Sequence, residues 1–335
     1  MPSVFVYEFV TARRLGEQPD SPLHSLFVEG RTMRDAVVAD FADVIGAEVV
    51  SFPDGVPDAQ HAARFRELAK RADWTLVVAP ETGGELEHLA REVLKAGGKL
   101  LGPSPDAIAL TTDKLHLSRH WTKHRVPQIF TAPADDRPTV YPAVLKPRDG
   151  AGSEDMHLLK SVEDYEDAVR LVEGTGFRIV QPFAPGLACS VAFLVGPPLK
   201  DSNGKGLPPA LVPLRPTLQR LSDDGRFKYL GGSLPLPEPL AERAVRLATK
   251  AVTCVRGLFG FVGVDLILGE AETGADDVAV EINPRLTTSY VGLRATVEGN
   301  LAGMLLNLVS GIAAPLPAWK PMPLTWTADG TVLPA

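Results

Sequence analysis

The sequence predicts an α/β protein with a parallel N-terminal sheet, followed by a smaller α+β lid and a strand-rich core. Two observations predict the first part: short apolar runs alternate with amphipathic helical stretches over residues 1–105, and turn residues separate them. This alternation is typical of parallel strands joined by crossover helices. From Cys189 onward several strand candidates follow each other, and 45% of the 335 residues are hydrophobic, enough for more than one core.

The N-terminal part is expected to contain repeated strand–helix units. Strands are predicted at 4–9, 47–52, 74–80 and 99–102, with helices at 25–41, 58–71 and 84–96. Ligands of parallel sheets bind beyond the carboxyl ends of the strands. The loops at 7–14 and 80–84 are therefore expected to face any site.

The rest of the chain divides into a lid and a floor. The lid begins with a helical stretch at 104–124, in which Thr112 or Asp113 is a plausible helix cap, and continues through a helix at 162–173 and a strand at 178–183. The floor consists of several strand candidates, a helix at 238–256 and strands at 260–269 and 280–290. The predicted domains are 1–105, 106–185 and 186–320, with a Pro-rich surface tail over 321–335.

Charge and cysteine content restrict the class of partner. A formal net charge of −7 gives no basic footprint for nucleic acid or for an anionic membrane. Cys189 and Cys254 are too few for a disulfide framework. The apolar run before Glu8 is too short for an export leader, and no run reaches membrane-span length. We expect a cytoplasmic protein with small-molecule partners and no nucleic-acid or membrane partner; a homodimer is possible.

Acidic residues stand within or at the end of two apolar strand candidates. Side chains of a strand alternate between faces, so Glu281, Asn283 and Arg285 of "VEINPRLTTSY" project to one side. Asp265 lies in "GVDLIL", and the turn-rich stretch between the two runs would fold them into a hairpin. Buried acids need a cation, and two carboxylates with an amide oxygen suit Mg²⁺. A solvated strand end with a Pro stop remains the alternative for "VEINPRLTTSY".

A lysine directly precedes a glycine-containing loop. Lys146 ends "AVLK", and "RDGAGSED" follows, so its ammonium could stand where backbone N–H groups wrap phosphate oxygens. An edge-strand lysine beside an ordinary turn is the alternative. The P-loop pattern and the complete dinucleotide fingerprint are both absent from the sequence.

The order of motifs "TTDK", "LKPRDGAGSE", "IVQPF", "GVDLIL" and "EINPR" resembles the ATP-grasp superfamily over most of the chain. The resemblance implies an ATP-grasp fold with an N-terminal Rossmann-like pre-ATP-grasp domain, and ATP held between two α+β subdomains. It places Mg²⁺, or possibly Mn²⁺, on Asp265, Glu281 and Asn283. It also implies nucleotide contacts from Lys114, Lys146, Arg148, Gly150, Gly152, Ser153, Gln181, Pro182 and Phe183, with adenine against the backbone of the last three. Many relatives carry a ribose-binding acid where this chain has Ala188.

Finer motifs, including "VVAPETGGELEHL" and "EINPRLTTSYVGLR", resemble the archaeal tyramine–L-glutamate ligases and their bacterial relatives associated with methanofuran or methylofuran biosynthesis. The resemblance implies phosphorylation of the glutamate γ-carboxylate and attack by the amine of tyramine or tyrosine. Lys146 and Arg285 would stabilise transferred charge, and Arg294 would bind a substrate carboxylate or else be a surface arginine. The candidates for binding the amine, each with a solvated acid as the simpler interpretation, are Glu8, Glu29 and Glu81.

Other functions remain open at this point. A carboxylase-like ATP-grasp enzyme would act on bicarbonate, and a different amino-acid ligase would keep the same nucleotide site. A non-catalytic nucleotide-binding regulator is the third alternative, and Ala188 motivates it.

Overall fold

The structure is a computed structural model that describes residues 2–150, 155–172, 176–200, 206–312 and 316–334. Over these ranges the strands form three sheets, which we call the N-terminal, lid and core sheets. Their arrangement agrees with the α/β class predicted from the sequence.

The N-terminal sheet is parallel, and its central strand is deeply buried. Its elements are β1 (Ser3–Glu8), α1 (Phe9–Ala12), α2 (His24–Ala42), β2 (Glu48–Ser51), α3 (Asp58–Arg71), β3 (Trp74–Val78), a 3₁₀ turn (Thr82–Gly84) and α4 (Glu85–Lys95). β1 pairs with β2 on one side and β3 on the other. The strand predicted at 99–102 contributes only a bridge between Leu100 and Thr75.

Two short helices lead from this sheet into the lid. They are α5 (Pro105–Thr112) and α6 (Lys114–Lys123). Asp113 interrupts them with extended backbone angles, and its carboxylate accepts the N–H groups of Leu115 and His116. This is a side-chain N-cap, and it makes Lys114 the first residue of α6.

The lid sheet is antiparallel and has the strand order β4-β7-β5-β6. Its elements are β4 (Ala132–Pro133), β5 (Ala143–Pro147), β6 (His157–Leu159), α7 (Val162–Leu171) and β7 (Arg178–Pro182). Lys146 lies on β5 opposite Ile179, and Gln181 lies on β7 opposite Val144. The predicted lysine and the predicted adenine-contacting strand are therefore neighbours in one small sheet.

The core sheet runs in the order β13-β12-β8-β10-β11-β14-β15, and β9 pairs with β8. Its elements are β8 (Leu187–Lys200), β9 (Gly206–Pro213), β10 (Thr217–Leu221), β11 (Tyr229–Leu234), α8 (Glu238–Thr253), β12 (Gly260–Leu268), β13 (Val278–Asn283), α9 (Ser289–Thr296), α10 (Leu301–Val309), β14 (Leu324–Thr327) and β15 (Val332–Pro334). The described helices include none with the length and hydrophobicity of a membrane span.

The C-terminal segment is part of the core sheet, so its prediction as a surface tail is wrong. β14 pairs with β11, and Trp326 on β14 is 0% exposed. A Cβ atom added at Gly292 or Gly232 would lie 2.4 Å or 2.3 Å from the indole carbons. The indole N–H also donates to the Tyr229 hydroxyl at 2.8 Å. The tail is fixed because two glycines leave room for this ring.

Replacing Trp326 with alanine should therefore destabilise the whole protein. We expect a loss of about 3–5 kcal/mol in the free energy of unfolding, because a buried indole leaves a cavity when it is removed. Chemical denaturation would measure this loss. Trp319→Ala is the matched control: Trp319 is half-buried in the same segment and packs against the Arg215 guanidinium. Equal losses in the two variants would contradict the structural role of β14.

Candidate functional site

A cleft of about 1420 Å³ is lined by residues of the N-terminal, lid and core sheets. Most of the predicted site residues line it, although they come from distant parts of the chain. They are Lys114, Lys146, Gly150, Gln181, Pro182, Phe183, Asp265, Glu281, Asn283 and Arg285. Gly152 and Ser153 lie outside the described residues.

Two carboxylates face each other on the floor of the cleft. Asp265 on β12 lies directly opposite Glu281 on β13 in the antiparallel hairpin. Burial, together with the charge of Glu281, raises the pKa of Asp265 to about 7. Gln219 and Asn283 donate amide N–H groups to the Asp265 carboxylate, at 2.9 Å and 3.0 Å. The floor therefore concentrates negative charge that a bound cation would offset.

Two lysines stand against this negative charge. Burial opposes ionisation of Glu281, but the ammonium groups of Lys114 and Lys146 outweigh it and lower the Glu281 pKa. Lys114 Nζ lies 3.4 Å from Glu281 Oε2 and donates to the Gly150 carbonyl at 2.9 Å. Its position depends on the Asp113 cap that starts α6.

Lys146 is the more deeply buried of the two lysines, with 5% exposure. Burial lowers its pKa to about 8, and the charge of Lys114 acts in the same direction. To the residues that the structure describes, Lys146 Nζ donates no hydrogen bond. A buried ammonium without such an acceptor is well suited to bind an anion that enters the cleft.

The donor set on the floor fits a magnesium ion. Two carboxylates and the amide oxygen of Asn283 are hard oxygen ligands, and Mg²⁺ is often held by one or two carboxylates plus phosphate oxygens. Over the described ranges, no group of three or more His, Cys, Asp or Glu residues converges in a way that could hold a metal. Asp265, Glu281 and Asn283 would therefore hold Mg²⁺ together with a phosphate-bearing ligand, rather than as a complete protein cage.

Arg285 enters the same cleft from the loop after β13. Its Nε and Nη2 groups donate to the two oxygens of Glu81 at 2.9 Å and 3.1 Å, and Nη1 donates to the Leu286 carbonyl. Glu81 is 4% exposed. The expectation that Glu81 is a solvated acid is therefore wrong, because it is the buried partner of the arginine.

Two predicted arginines lie elsewhere. Arg148 binds the Asp113 carboxylate through Nε at 2.9 Å and Nη2 at 2.6 Å, so it supports the cap of α6. Arg294 binds Asp40 on α2, with Nη2 at 2.5 Å from Oδ1. Neither lines the cleft in the described part of the chain. The assignment of Arg294 to a substrate carboxylate is corrected accordingly, because its guanidinium binds Asp40 outside the cleft, whereas Arg285 lines the cleft.

The segment predicted to contact adenine already uses a backbone N–H group and a side-chain amide in hydrogen bonds within the protein. The Phe183 N–H donates to the Pro142 carbonyl, and the Gln181 side chain donates to Thr131. The Phe183 ring instead lies nearly parallel to the Phe227 ring, with 6.0 Å between centroids. The segment therefore offers an aromatic surface to a base. Ala188 lines the cleft and supplies no ribose-binding carboxylate.

Acids from the N-terminal sheet and α2 line the opposite side of the cleft. Glu8 is 3% exposed and caps α1, accepting the N–H groups of Val10 and Thr11. Glu29 is half-buried and accepts a hydrogen bond from the Thr288 hydroxyl. Burial raises the pKa of each carboxyl, and the charge of Glu8 further raises that of Glu29. The simpler expectation of solvated acids is wrong for Glu8.

Sequence reasoning missed two residues of the site, Gln219 and Thr288. Gln219 lies on β10 between Leu218 and Arg220, and the polar pair in "TLQRL" breaks the alternation of polar and apolar residues that could have indicated an inward-facing side chain. Thr288 lies three residues after the "EINPR" motif, but no pattern indicates that its hydroxyl reaches Glu29 on α2. That contact exists only in the folded chain.

Comparison with known proteins shows which family the chain resembles. A model of the ATP-grasp domain matches residues 111–289, which is more than half of the chain, and a pre-ATP-grasp domain model matches residues 31–108. The tyramine–L-glutamate ligase of Methanocaldococcus fervens is 27% identical over 270 residues, covering 80% of this chain and 76% of the relative.

Solved structures with the same fold cover nearly the whole chain. An ATP-grasp superfamily protein from Archaeoglobus fulgidus matches with a TM-score of 0.67 and 23% identity, covering 98% of this chain and 92% of that one. The ADP complex of an N5-carboxyaminoimidazole ribonucleotide synthetase matches with a TM-score of 0.68 and 14% identity, covering 97% and 80%. The chain belongs to the ATP-grasp family.

Proposed function

We propose that this ATP-dependent ligase joins the γ-carboxylate of L-glutamate to the amine of tyramine or tyrosine through an acyl phosphate. The observation that carries the proposal is the division of charge in one cleft: Lys114 and Lys146 stand on the lid side, and Glu8 and Glu29 on the side of the N-terminal sheet. A nucleoside triphosphate would bind on the side of the lysines, and a substrate with an ammonium group would bind on the side of the glutamates. The similarity to a tyramine–L-glutamate ligase supports this choice of substrates.

The proposed reaction has two steps. A carboxylate oxygen of the acid attacks the γ-phosphorus of ATP, and ADP leaves. The amine nitrogen then attacks the acyl carbon, phosphate leaves, and the nitrogen gives up a proton. Phosphoryl transfer depends mainly on positioning and on charge stabilisation. Lys114, Lys146 and Arg285 would supply cationic contacts to the phosphoryl oxygens, and bound Mg²⁺ would neutralise further phosphate charge.

Glu29 is our candidate for binding the amine substrate in its ammonium form. Thr288 fixes one of its oxygens, and Thr288 lies on the same short loop as Arg285. Neither Glu29 nor Glu8 has a lysine or arginine within ion-pair distance in the described part of the chain. An ammonium at Glu29 would offset this negative charge, and after it passes one proton to the carboxylate, whose pKa burial raises, the amine nitrogen would attack the acyl carbon.

The direct test is to supply the enzyme with ATP, Mg²⁺, L-glutamate and tyramine or tyrosine. We expect release of ADP and phosphate, and a γ-glutamyl hydroxamate when hydroxylamine replaces the amine, because an acyl phosphate reacts with any good nucleophile. L-Aspartate, one methylene shorter, is the control acid. If glutamate releases no ADP with either amine while another acid does, the substrate assignment fails and the ligase chemistry remains.

Lys146→Met should weaken nucleotide binding. We expect the dissociation constant for ATP to rise by about 10- to 100-fold, because the change removes a charged contact and keeps most of the side-chain volume. Calorimetric titration would measure it. The matched control is Lys160→Met, which removes an exposed lysine from the same lid. Equal affinities for Lys146→Met and wild type would place the phosphates elsewhere.

Glu29→Gln should act on the amine substrate and leave the nucleotide unaffected. We expect the KM for the amine to rise by about tenfold or more, since a charge-assisted contact becomes a neutral one. The KM for ATP should stay near the wild-type value in the same steady-state assay. Asp35→Asn, an exposed acid on the same helix, should change neither constant. A parallel rise in both constants for Glu29→Gln would indicate a general disturbance of the cleft.

A further inference from the structure

Arg285 lies within electrostatic range of three carboxylates but forms its ion pair with one of them. Burial opposes its charge, yet Glu81, Glu29 and Glu281 outweigh burial and raise its pKa. Glu81 is the residue at contact distance, 2.9 Å from Arg285 Nε to Oε1. The other two are the candidate amine-binding acid and a candidate metal ligand. Glu29 and Glu281 line the same cleft as Arg285, so the arginine has two alternative partners there, and each of them has another proposed task.

The contact between Glu81 and Arg285 fixes the arginine in a defined orientation. The two parallel N–H···O bonds hold the guanidinium plane, and a third bond to the Leu286 carbonyl holds its far end. Both side chains are largely buried, with 4% exposure for Glu81 and 13% for Arg285. If Glu81 lost its charge, the buried guanidinium would need another anion, because an uncompensated buried charge is strongly unfavourable.

The loop that carries Glu81 is anchored on its other side as well. Gly83 follows in the left-handed region with φ of 65°, and its N–H donates to Asp149 Oδ2 at 3.0 Å. Asp149 adjoins Gly150, whose carbonyl accepts the Lys114 ammonium. This loop thus joins the arginine on the core side to the lysine-bearing lid side. The backbone two residues after Glu81 is thus held by a contact that does not involve Arg285.

We propose that Glu81 is a positioning residue that holds Arg285 in the cleft and away from Glu281, so that Glu281 stays free to bind a divalent cation. This inference rests on the proposed metal and ligase function of the cleft. Without Glu81, Arg285 would move to Glu281 or Glu29, and an ion pair with Glu281 would compete directly with the metal. Glu81 would then control metal affinity without touching the metal.

Metal binding tests the proposal independently of turnover. The free Mn²⁺ signal in electron paramagnetic resonance, recorded with ADP present, would give the Mn²⁺ dissociation constant of each variant. We expect Glu81→Ala to raise it by about tenfold, the factor that corresponds to about 1.4 kcal/mol. The double variant Glu81→Ala/Arg285→Ala should return to within about threefold of Arg285→Ala alone, because the competing arginine is absent.

A conservative variant and a matched control separate positioning from general damage. Glu81→Gln keeps the side-chain volume and should raise the Mn²⁺ dissociation constant by a smaller factor than Glu81→Ala does. In the control Glu87→Gln, the change removes a carboxylate that lies 2.7 Å from Nη2 of the partly exposed Arg91 on α4. This variant should bind Mn²⁺ like the wild type. In the ligase assay, Glu81→Gln should lower kcat while the KM for ATP stays near wild type.

Three results would overturn the proposal. The first is wild-type Mn²⁺ affinity in Glu81→Ala. The second is a double variant that binds Mn²⁺ as weakly as Glu81→Ala, although Arg285→Ala alone binds it well. The third is absence of Mn²⁺ binding to the wild-type protein. The proposed substrates alone would be refuted if the wild-type protein binds Mn²⁺ and the double variant shows the expected rescue, but glutamate reacts with neither tyramine nor tyrosine. The two failures are therefore distinguishable.

Discussion

Two partly buried carboxylates on neighbouring strands impose the main constraint on this structure. Asp265 and Glu281 are paired across the β12–β13 hairpin, and both burial and mutual repulsion disfavour their ionised forms. The fold offsets this with amide donors to Asp265 and with two lysines near Glu281. These groups come from β10, the start of α6 and the lid sheet, so the charge balance at one hairpin requires all of these elements to meet.

Buried ion pairs also fix how the N-terminal sheet meets the core. Arg285 binds Glu81 just beyond β3, and Arg294 binds Asp40 on α2, where the Tyr290 hydroxyl donates to the same carboxylate at 2.5 Å. Both arginines lie within one short stretch that follows the metal-binding candidates. Breaking a buried pair leaves an uncompensated charge. The distance between the acids of the N-terminal sheet and the floor of the cleft is therefore set by specific charge contacts as well as by apolar packing.

The division of charge across the cleft would give the two proposed substrates different places. Lys146 offers a buried ammonium without a described hydrogen-bond acceptor, whereas Glu29 offers a carboxylate whose pKa burial raises. Desolvation is costly for each charged group, and a bound ligand of opposite charge would offset that cost. Such groups bind ligands with little reorganisation, because the protein has already desolvated and oriented them.

The sequence by itself determined the local parts of this protein. Strand alternation placed Glu281 and Asn283 on one face, and residue type limited the cap to Thr112 or Asp113, of which Asp113 starts α6. Tertiary structure decided the partners. Arg285 meets Glu81 across 204 residues and Arg294 meets Asp40 across 254 residues, and Trp326 turns a Pro-rich tail into a strand of the core sheet. Periodicity and capping depend on neighbours within a few residues, whereas these contacts depend on which distant charges and cavities the packed chain brings together.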